Sequence, residues 1–195
     1  MAEHKILIAG GGTGGHLFPA LAIGEEIHHR EPGAKIHYVG SNFGLEAKVF
    51  PVKDVWHTLL PIRGFQRGIS LQSLGRNSLL PVRIIRSMLK IRSLMNEFLH
   101  QVVVGTGGYA SALPLYMASK KNNPLPIILQ EQNSYPGMTT RWFADKAKTI
   151  CVAFNDANTH LEFDTVLTGN PVRQGISDGN PQRGLKEFKL AEDHK

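Results

Sequence analysis

The chain has no Asp or Glu between Val55 and Asn96, yet that stretch carries Arg63, Arg67, Arg76, Arg83, Arg86, Lys90 and Arg92. Those seven cations exceed the formal net charge of +6 for all 195 residues, so the basicity is local. Cysteine is nearly absent. Cys151 stands alone, which excludes an internal disulfide and a cysteine-built zinc site, and its setting in Thr149-Ile-Cys-Val-Ala153 predicts a buried strand residue. No apolar run reaches 18 residues, and the N-terminus lacks the basic, apolar, small-residue order of a signal peptide. Neither a spanning helix nor a leader is expected, and the chain is expected in the cytoplasm. Low-complexity segments are also missing. With 42% hydrophobic residues, this length suits one well-buried domain.

The acid-free window interleaves its cations with Ile62, Phe65, Ile69, Leu71, Leu74, Leu79, Leu80, Val82, Ile84, Ile85, Met88 and Leu89. Basic and large apolar residues mixed in this way favour an anionic membrane surface over nucleic acid. On a helix, Arg83, Arg86 and Lys90 share one narrow arc, with Pro81 in the first turn. For that helix the preferred reading is that Val82, Ile85 and Leu89 pack on the sheet beneath a solvated basic face. The loop from Ile62 to Leu74 reads either as an ordinary surface loop or as a membrane-contacting segment, since apolar loop tips are unusual without a partner. The candidate membrane contacts are Arg63, Phe65, Arg67, Ile69, Leu71, Arg76, Arg83, Arg86 and Lys90.

What the chain does have is a pair of glycine-rich turns. Lys5-Ile-Leu-Ile-Ala9 runs into Gly10-Gly-Gly-Thr-Gly-Gly-His16 and then into a helical pattern, and Gln101-Val-Val-Val-Gly105 runs likewise into Thr106-Gly-Gly-Tyr-Ala-Ser111. Strand, bare turn, helix is a phosphate-binding layout, since glycines allow close approach and a helix start offers unpaired N–H groups to an anion. Two such turns suit a ligand with several anionic groups. Strands are expected at 5–10, 35–40, 55–60, 101–105, 126–130, 149–153 and 165–168, with helices at 17–30, 43–50, 78–99, 110–121 and 138–146. That alternation predicts an α/β, Rossmann-like parallel sheet with helices on both faces and ligands at the carboxyl ends of the strands.

Gly10, Gly12 and Gly15 also satisfy the dinucleotide fingerprint, but Tyr38-Val-Gly-Ser-Asn42 gives the second strand no acidic end to hold a ribose. His16, at a helix start, is a candidate general base, because the positive helix end disfavours its cation and keeps the ring neutral. It could equally cap or pack. Glu131, Gln132 and Asn133 follow a strand and are placed to meet ligand, while Ser134 reads as the cap of the next helix. Gln174 to Arg183 reads as a linker and Leu185 to Glu192 as a short amphipathic helix, so residues 1–173 form the domain and 174–195 lead out of it.

Gly11-Gly-Thr-Gly-Gly-His16 with Pro19-Ala-Leu-Ala22, Gly105-Thr-Gly-Gly-Tyr-Ala-Ser111, Glu131-Gln-Asn133 with Pro136-Gly137, and Gly169-Asn-Pro-Val-Arg173 resemble, in order and spacing, the amino-terminal half of the MurG family. The resemblance implies half of a GT-B glycosyltransferase that moves N-acetylglucosamine from UDP-GlcNAc to undecaprenyl-linked lipid I at the cytoplasmic membrane face, by an inverting displacement without a metal or cofactor. It implies His16 as base, Thr13, Gly14, Gly15, Asn133 and Arg173 as contacts of the UDP-sugar, and Glu131 and Gln132 as supports of the cleft. Gly12, Gly14, Gly107, Gly108, Tyr109 and Ser111 would meet the acceptor diphosphate. Ser111-Ala-Leu-Pro114 stands where the family usually has Ser-Gly-Pro or Cys-Gly-Pro. Leu185 to Lys195 resembles the approach to the family's second, donor-binding domain, so this chain alone is expected to be inactive. The missing donor half would be a further domain or a separate chain, and the alternative reading is a non-catalytic membrane subunit that recruits a separate donor-binding chain.

Overall fold

The computed structural model describes residues 4–64, 78–120, 123–173 and 181–188. Strands β1 (Lys5–Ala9), β2 (Lys35–Ser41), β3 (His57–Leu60), β4 (Val102–Gly105), β5 (Ile127–Glu131), β6 (Thr149–Val152) and β7 (Val166–Leu167) pair in parallel, in the order β3-β2-β1-β4-β5-β6-β7. Each expected strand is present, shortened at the edges. The run 55–60 pairs only from His57, and 165–168 retains two exposed residues. The chain leaves β1 to one side for β2 and β3 and returns to the other for β4, so the switch point lies between β1 and β4, where a ligand cleft forms at the carboxyl ends. Both glycine turns sit there.

Alternation along β1 divides the interior in two. Leu7 and Ala9 join Val103, Leu129, Ile91, Met95 and Leu115 in one cluster, whereas Ile8 joins Leu17, Leu21, Tyr38, Phe50 and Val104 in the other. The second cluster rests on helices α1 (Gly14–Arg30) and α2 (Glu46–Val52), and the first on α3 (Leu80–Phe98), α4 (Tyr109–Ser119) and α5 (Met138–Phe143). Each fully buried leucine contributes about 2 kcal/mol through the apolar surface it removes from water. Gly24 lets α1 settle on β2, since a Cβ there would stand 1.7 Å from the Tyr38 hydroxyl.

Several expectations change. Helix α1 starts at Gly14, three residues early, because Thr13 is extended and its carbonyl accepts the Leu17 N–H. Helix α2 starts later than expected, at Glu46, because residues 42–45 form a turn. The helix expected over 138–146 breaks after Phe143 into a 3-10 turn, Ala144–Lys146, and a further 3-10 stretch, Asn155–His160, was not anticipated. Helix α6 (Pro181–Phe188) precedes the range read from sequence. Cys151 is half-buried rather than buried, and desolvation pushes its thiol pKa up. Ser134 does not cap α5; Gly137 stands at that position, and its N–H goes to Glu131.

The largest correction concerns α3. Val82, Ile85 and Leu89 do not pack on the sheet: they are 48%, 58% and 62% exposed, and Leu79 just before the helix is 51% exposed. The buried face is Ser87, Ile91, Met95 and Phe98, which the helical period sets on the opposite side. An apolar stripe therefore faces outward, flanked by Arg86 and Lys90. Ile62, read as part of an exposed loop, is buried. Phe65, Arg67, Ile69, Leu71 and Arg76 lie outside the described residues.

Candidate functional site

The ends of β1 and β4 bring His16 and Thr106 together. Thr106 Oγ1 donates to the His16 carbonyl at 2.8 Å, while His16 Nδ1 lies 3.0 Å from the Thr106 carbonyl oxygen and 3.2 Å from Gln132 Oε1. A carbonyl oxygen only accepts, so the ring proton belongs on Nδ1 and the free lone pair of the neutral ring on Nε2. Gln132 is itself oriented, donating from Nε2 to the same Thr106 carbonyl at 2.7 Å. The ring is thus fixed at its back, leaving a basic nitrogen at its front.

His16 borders a cavity of about 610 Å³ whose wall includes Gly107, Gly108 and Tyr109 from the second turn, Glu131 from β5, Arg63, and the apolar Leu80, Ile84, Met138 and Trp142. A recess of about 710 Å³ lies at the opposite, amino end of the sheet by Tyr38, Lys53 and Trp56, away from both turns. The smaller cavity holds the convergent polar groups, so it is the functional candidate.

The first turn departs from the simple phosphate-binding expectation. Gly12 N–H, assigned from sequence to an acceptor phosphate, donates to Glu46 at 2.9 and 3.1 Å, and Ser41 N–H donates to the same carboxylate at 2.7 Å. Glu46 is fully buried. This intramolecular carboxylate fills the turn's anion nest. What remains for a ligand is the start of α1 itself, where Thr13 makes no side-chain cap and Gly15 is exposed. Arg173, from the far end of the domain, stands 4.9 Å over the ring of Phe18, whose edge lies against Gly14 at that helix start.

In the second turn, Gly107 and Gly108 have φ of +93° and +77°. A Cβ on Gly107 would lie 2.8 Å from His16 Nδ1, and one on Gly108 2.0 Å from the Gly11 carbonyl oxygen. These glycines let the two turns touch. Tyr109 OH donates to Ser41 Oγ at 3.3 Å, linking α4 to the carboxyl end of β2. Ser111, expected at the acceptor diphosphate, is buried, and its hydroxyl donates to the Gly108 carbonyl at 2.9 Å, so it serves the turn instead.

Glu131 organises the third segment. One carboxylate oxygen accepts Asn133 N and Nδ2 at 3.0 and 2.8 Å, and the other accepts Gly137 N at 2.9 Å and Thr140 Oγ1 at 2.6 Å. With every oxygen engaged, it holds the loop that presents the exposed Asn133. Arg63 turns into the cavity and stacks on Phe43 instead of marking an outer surface. Sequence reasoning missed Glu46, Thr106, Thr140 and Phe43. Only for Glu46 was there a local signal: an acidic residue close after Gly40 and Gly44.

Residues 6–152 match the glycosyltransferase family 28 N-terminal domain. The chain is 41% identical over 196 residues to the UDP-N-acetylglucosamine–N-acetylmuramyl-(pentapeptide) pyrophosphoryl-undecaprenol N-acetylglucosamine transferase of Bacteroides thetaiotaomicron, covering 99% of this chain and 51% of that protein. The enzyme of the same name from Bacillus subtilis is 35% identical over 192 residues, covering 98% and 51%. The crystal structure of Acinetobacter baumannii MurG superposes with a TM-score of 0.67 at 22% identity, covering 89% of this chain and 47% of that one, and bears on the fold alone. The chain spans about half the length of the curated relatives it matches.

Proposed function

The chain belongs to glycosyltransferase family 28 through its N-terminal domain, and from that premise we propose that it forms the acceptor half of a peptidoglycan enzyme that transfers N-acetylglucosamine from UDP-GlcNAc to undecaprenyl-linked lipid I, giving lipid II. The observation that carries this reading is His16, whose Nδ1 is tied to Thr106 and Gln132 while Nε2 is left as a base beside the cavity. His16 Nε2 takes the proton of the acceptor hydroxyl as that oxygen attacks the anomeric carbon, and the sugar–phosphate bond breaks with its electron pair leaving on UDP. The start of α1, with Thr13, Gly14, Gly15 and Arg173, faces the departing diphosphate, and the dipole of a 17-residue helix offsets the charge that develops there. Asn133 reaches the donor sugar from the loop that Glu131 holds. Gly107, Gly108 and Tyr109 meet the acceptor's diphosphate. A donor-binding domain, on the same chain or a separate one, closes the cleft and excludes water.

In the complete two-domain enzyme, His16→Ala lowers kcat by about 10²–10⁴-fold with KM for UDP-GlcNAc little changed, as steady-state assays would read. Turnover near wild type would remove His16 from the mechanism.

The outward stripe of α3 supports a peripheral position on the cytoplasmic face of the bacterial membrane, with Leu79, Val82, Ile85 and Leu89 entering the lipid and the exposed Arg86 meeting head groups, while Lys90 donates to the Leu59 carbonyl at 2.9 Å. Replacing Ile85 and Leu89 together by Glu should abolish co-sedimentation with anionic liposomes; retained binding would place the contact elsewhere.

A further inference from the structure

Arg63 is a charged group in the cavity that the transfer step does not use. Its guanidinium carbon stands 3.9 Å from the centre of the Phe43 ring, and that of Arg83, on α3, stands 5.4 Å from the same centre. Two like charges drawn to one ring repel each other unless an anion lies between them. Among the described residues neither arginine is paired with a carboxylate. Among the described residues Arg63 Nε is also buried without a hydrogen-bond partner, a strong donor left unsatisfied. The nearby carboxylates are committed: Glu131 to its own loop, and Glu46 to Gly12 and Ser41.

We propose that Arg63 and Arg83, braced by Phe43, form a clamp for a phosphoryl group of a lipid-linked diphosphate, which enters the cavity with its apolar tail along Leu80 and Ile84. The clamp rests on the acceptor reading given above and names this chain's cations for that ligand. A guanidinium matches two phosphate oxygens at once, and stacking on Phe43 fixes its plane beforehand, which reduces the ordering needed on binding. The second turn lies in the same cavity wall, so the start of α4 can meet the neighbouring phosphoryl group.

A phospholipid head group carries the same phosphate chemistry, so the test has two arms. Geranyl diphosphate is titrated into the 195-residue chain by calorimetry, and phosphatidylglycerol vesicles are tested by co-sedimentation. Arg63→Gln should weaken geranyl diphosphate at least about tenfold and leave vesicle binding unchanged. Arg63→Lys should recover part of the loss, and Phe43→Leu and Arg83→Gln should each weaken binding less than Arg63→Gln. Arg92→Gln, which removes an exposed cation from the same helix, should change nothing, and melting curves confirm that the variants fold. The clamp is overturned if wild type ignores geranyl diphosphate, if Arg63→Gln binds as wild type, or if Arg92→Gln loses as much. Loss of vesicle binding alone would assign Arg63 to head groups and equally overturn it. This titration needs no donor and no turnover, so its failure leaves the role of His16 standing, and failure of the His16 assay leaves the clamp standing.

Discussion

The two glycine turns lie side by side at the ends of β1 and β4, share a strand-turn-helix layout, and handle anions in opposite ways. In the first, Glu46 fills the nest, and a Cβ at Gly11, Gly40 or Gly44 would come within 2.4, 2.3 or 2.2 Å of its side chain. In the second, among the described residues, no carboxylate enters. Gly107 and Gly108 make room for His16 and the Gly11 backbone, and the turn opens on the cavity. A glycine-rich turn is therefore not a phosphate site until each N–H has been followed to its acceptor. The first turn gives its Gly12 N–H to its own carboxylate and leaves only the start of α1 for a ligand, whereas the second is a wall that a ligand can reach.

The sharpest way to break this contrast is to empty the first nest. Glu46→Ala should cost about 3–5 kcal/mol in urea unfolding, because it leaves a cavity and takes the acceptor from the buried Ser41 N–H and the part-buried Gly12 N–H, while Glu46→Gln, which keeps the volume, should cost less. An unchanged midpoint in the Ala variant would show that the carboxylate is dispensable and the two turns alike. Next, Gly108→Ala should cost about 2–3 kcal/mol, since an L side chain strains at that positive φ and its Cβ meets the Gly11 carbonyl. Gly33→Ala, where a Cβ meets nothing, is the control. If the two unfold alike, close contact between the turns is not what requires glycine at 108.

The smallest effect lies at the opposite end of the sheet, where His37 is buried among Trp56, Phe98 and His100. Desolvation, with His57 as the second cause, lowers the His37 pKa from 6.5 to about 4. The unfolded chain takes up this proton near the ordinary value and the folded chain only well below it. The stability tied to neutral His37 is therefore complete above pH 6.5 and lost as pH falls towards 4. Between pH 7 and 5 the loss should be about 1–2 kcal/mol, and His37→Phe should flatten that part of the profile. Equal slopes for wild type and variant would exclude His37 as the source.

The strands were legible because short β-branched and leucine-rich runs separated by helical periods admit few arrangements, and both glycine turns stood out by composition. Helix starts were less so: α1 begins at Gly14 because a carbonyl at Thr13 accepts the Leu17 N–H, which no propensity announces. The face of α3 was misread because Val82, Ile85 and Leu89 satisfy a core period as well as a surface one, and only the neighbouring elements choose between them. Of the site, His16, Glu131, Gln132 and Asn133 could be named in advance. Their partners could not, since Thr106 reaches His16 and Gln132 from a distant part of the chain, and the Glu46 that fills the first turn through Gly12 lies 34 residues away from it.

Local physics in the sequence determined the parallel α/β layout and the placing of two glycine turns at strand ends, because period and backbone freedom are properties of neighbouring residues. Tertiary structure decided which N–H groups remain for a ligand, which ring nitrogen of His16 carries the proton, and which face of α3 looks outward. Each of these depends on an acceptor, a carboxylate or a packing surface that the fold brings from tens of residues away.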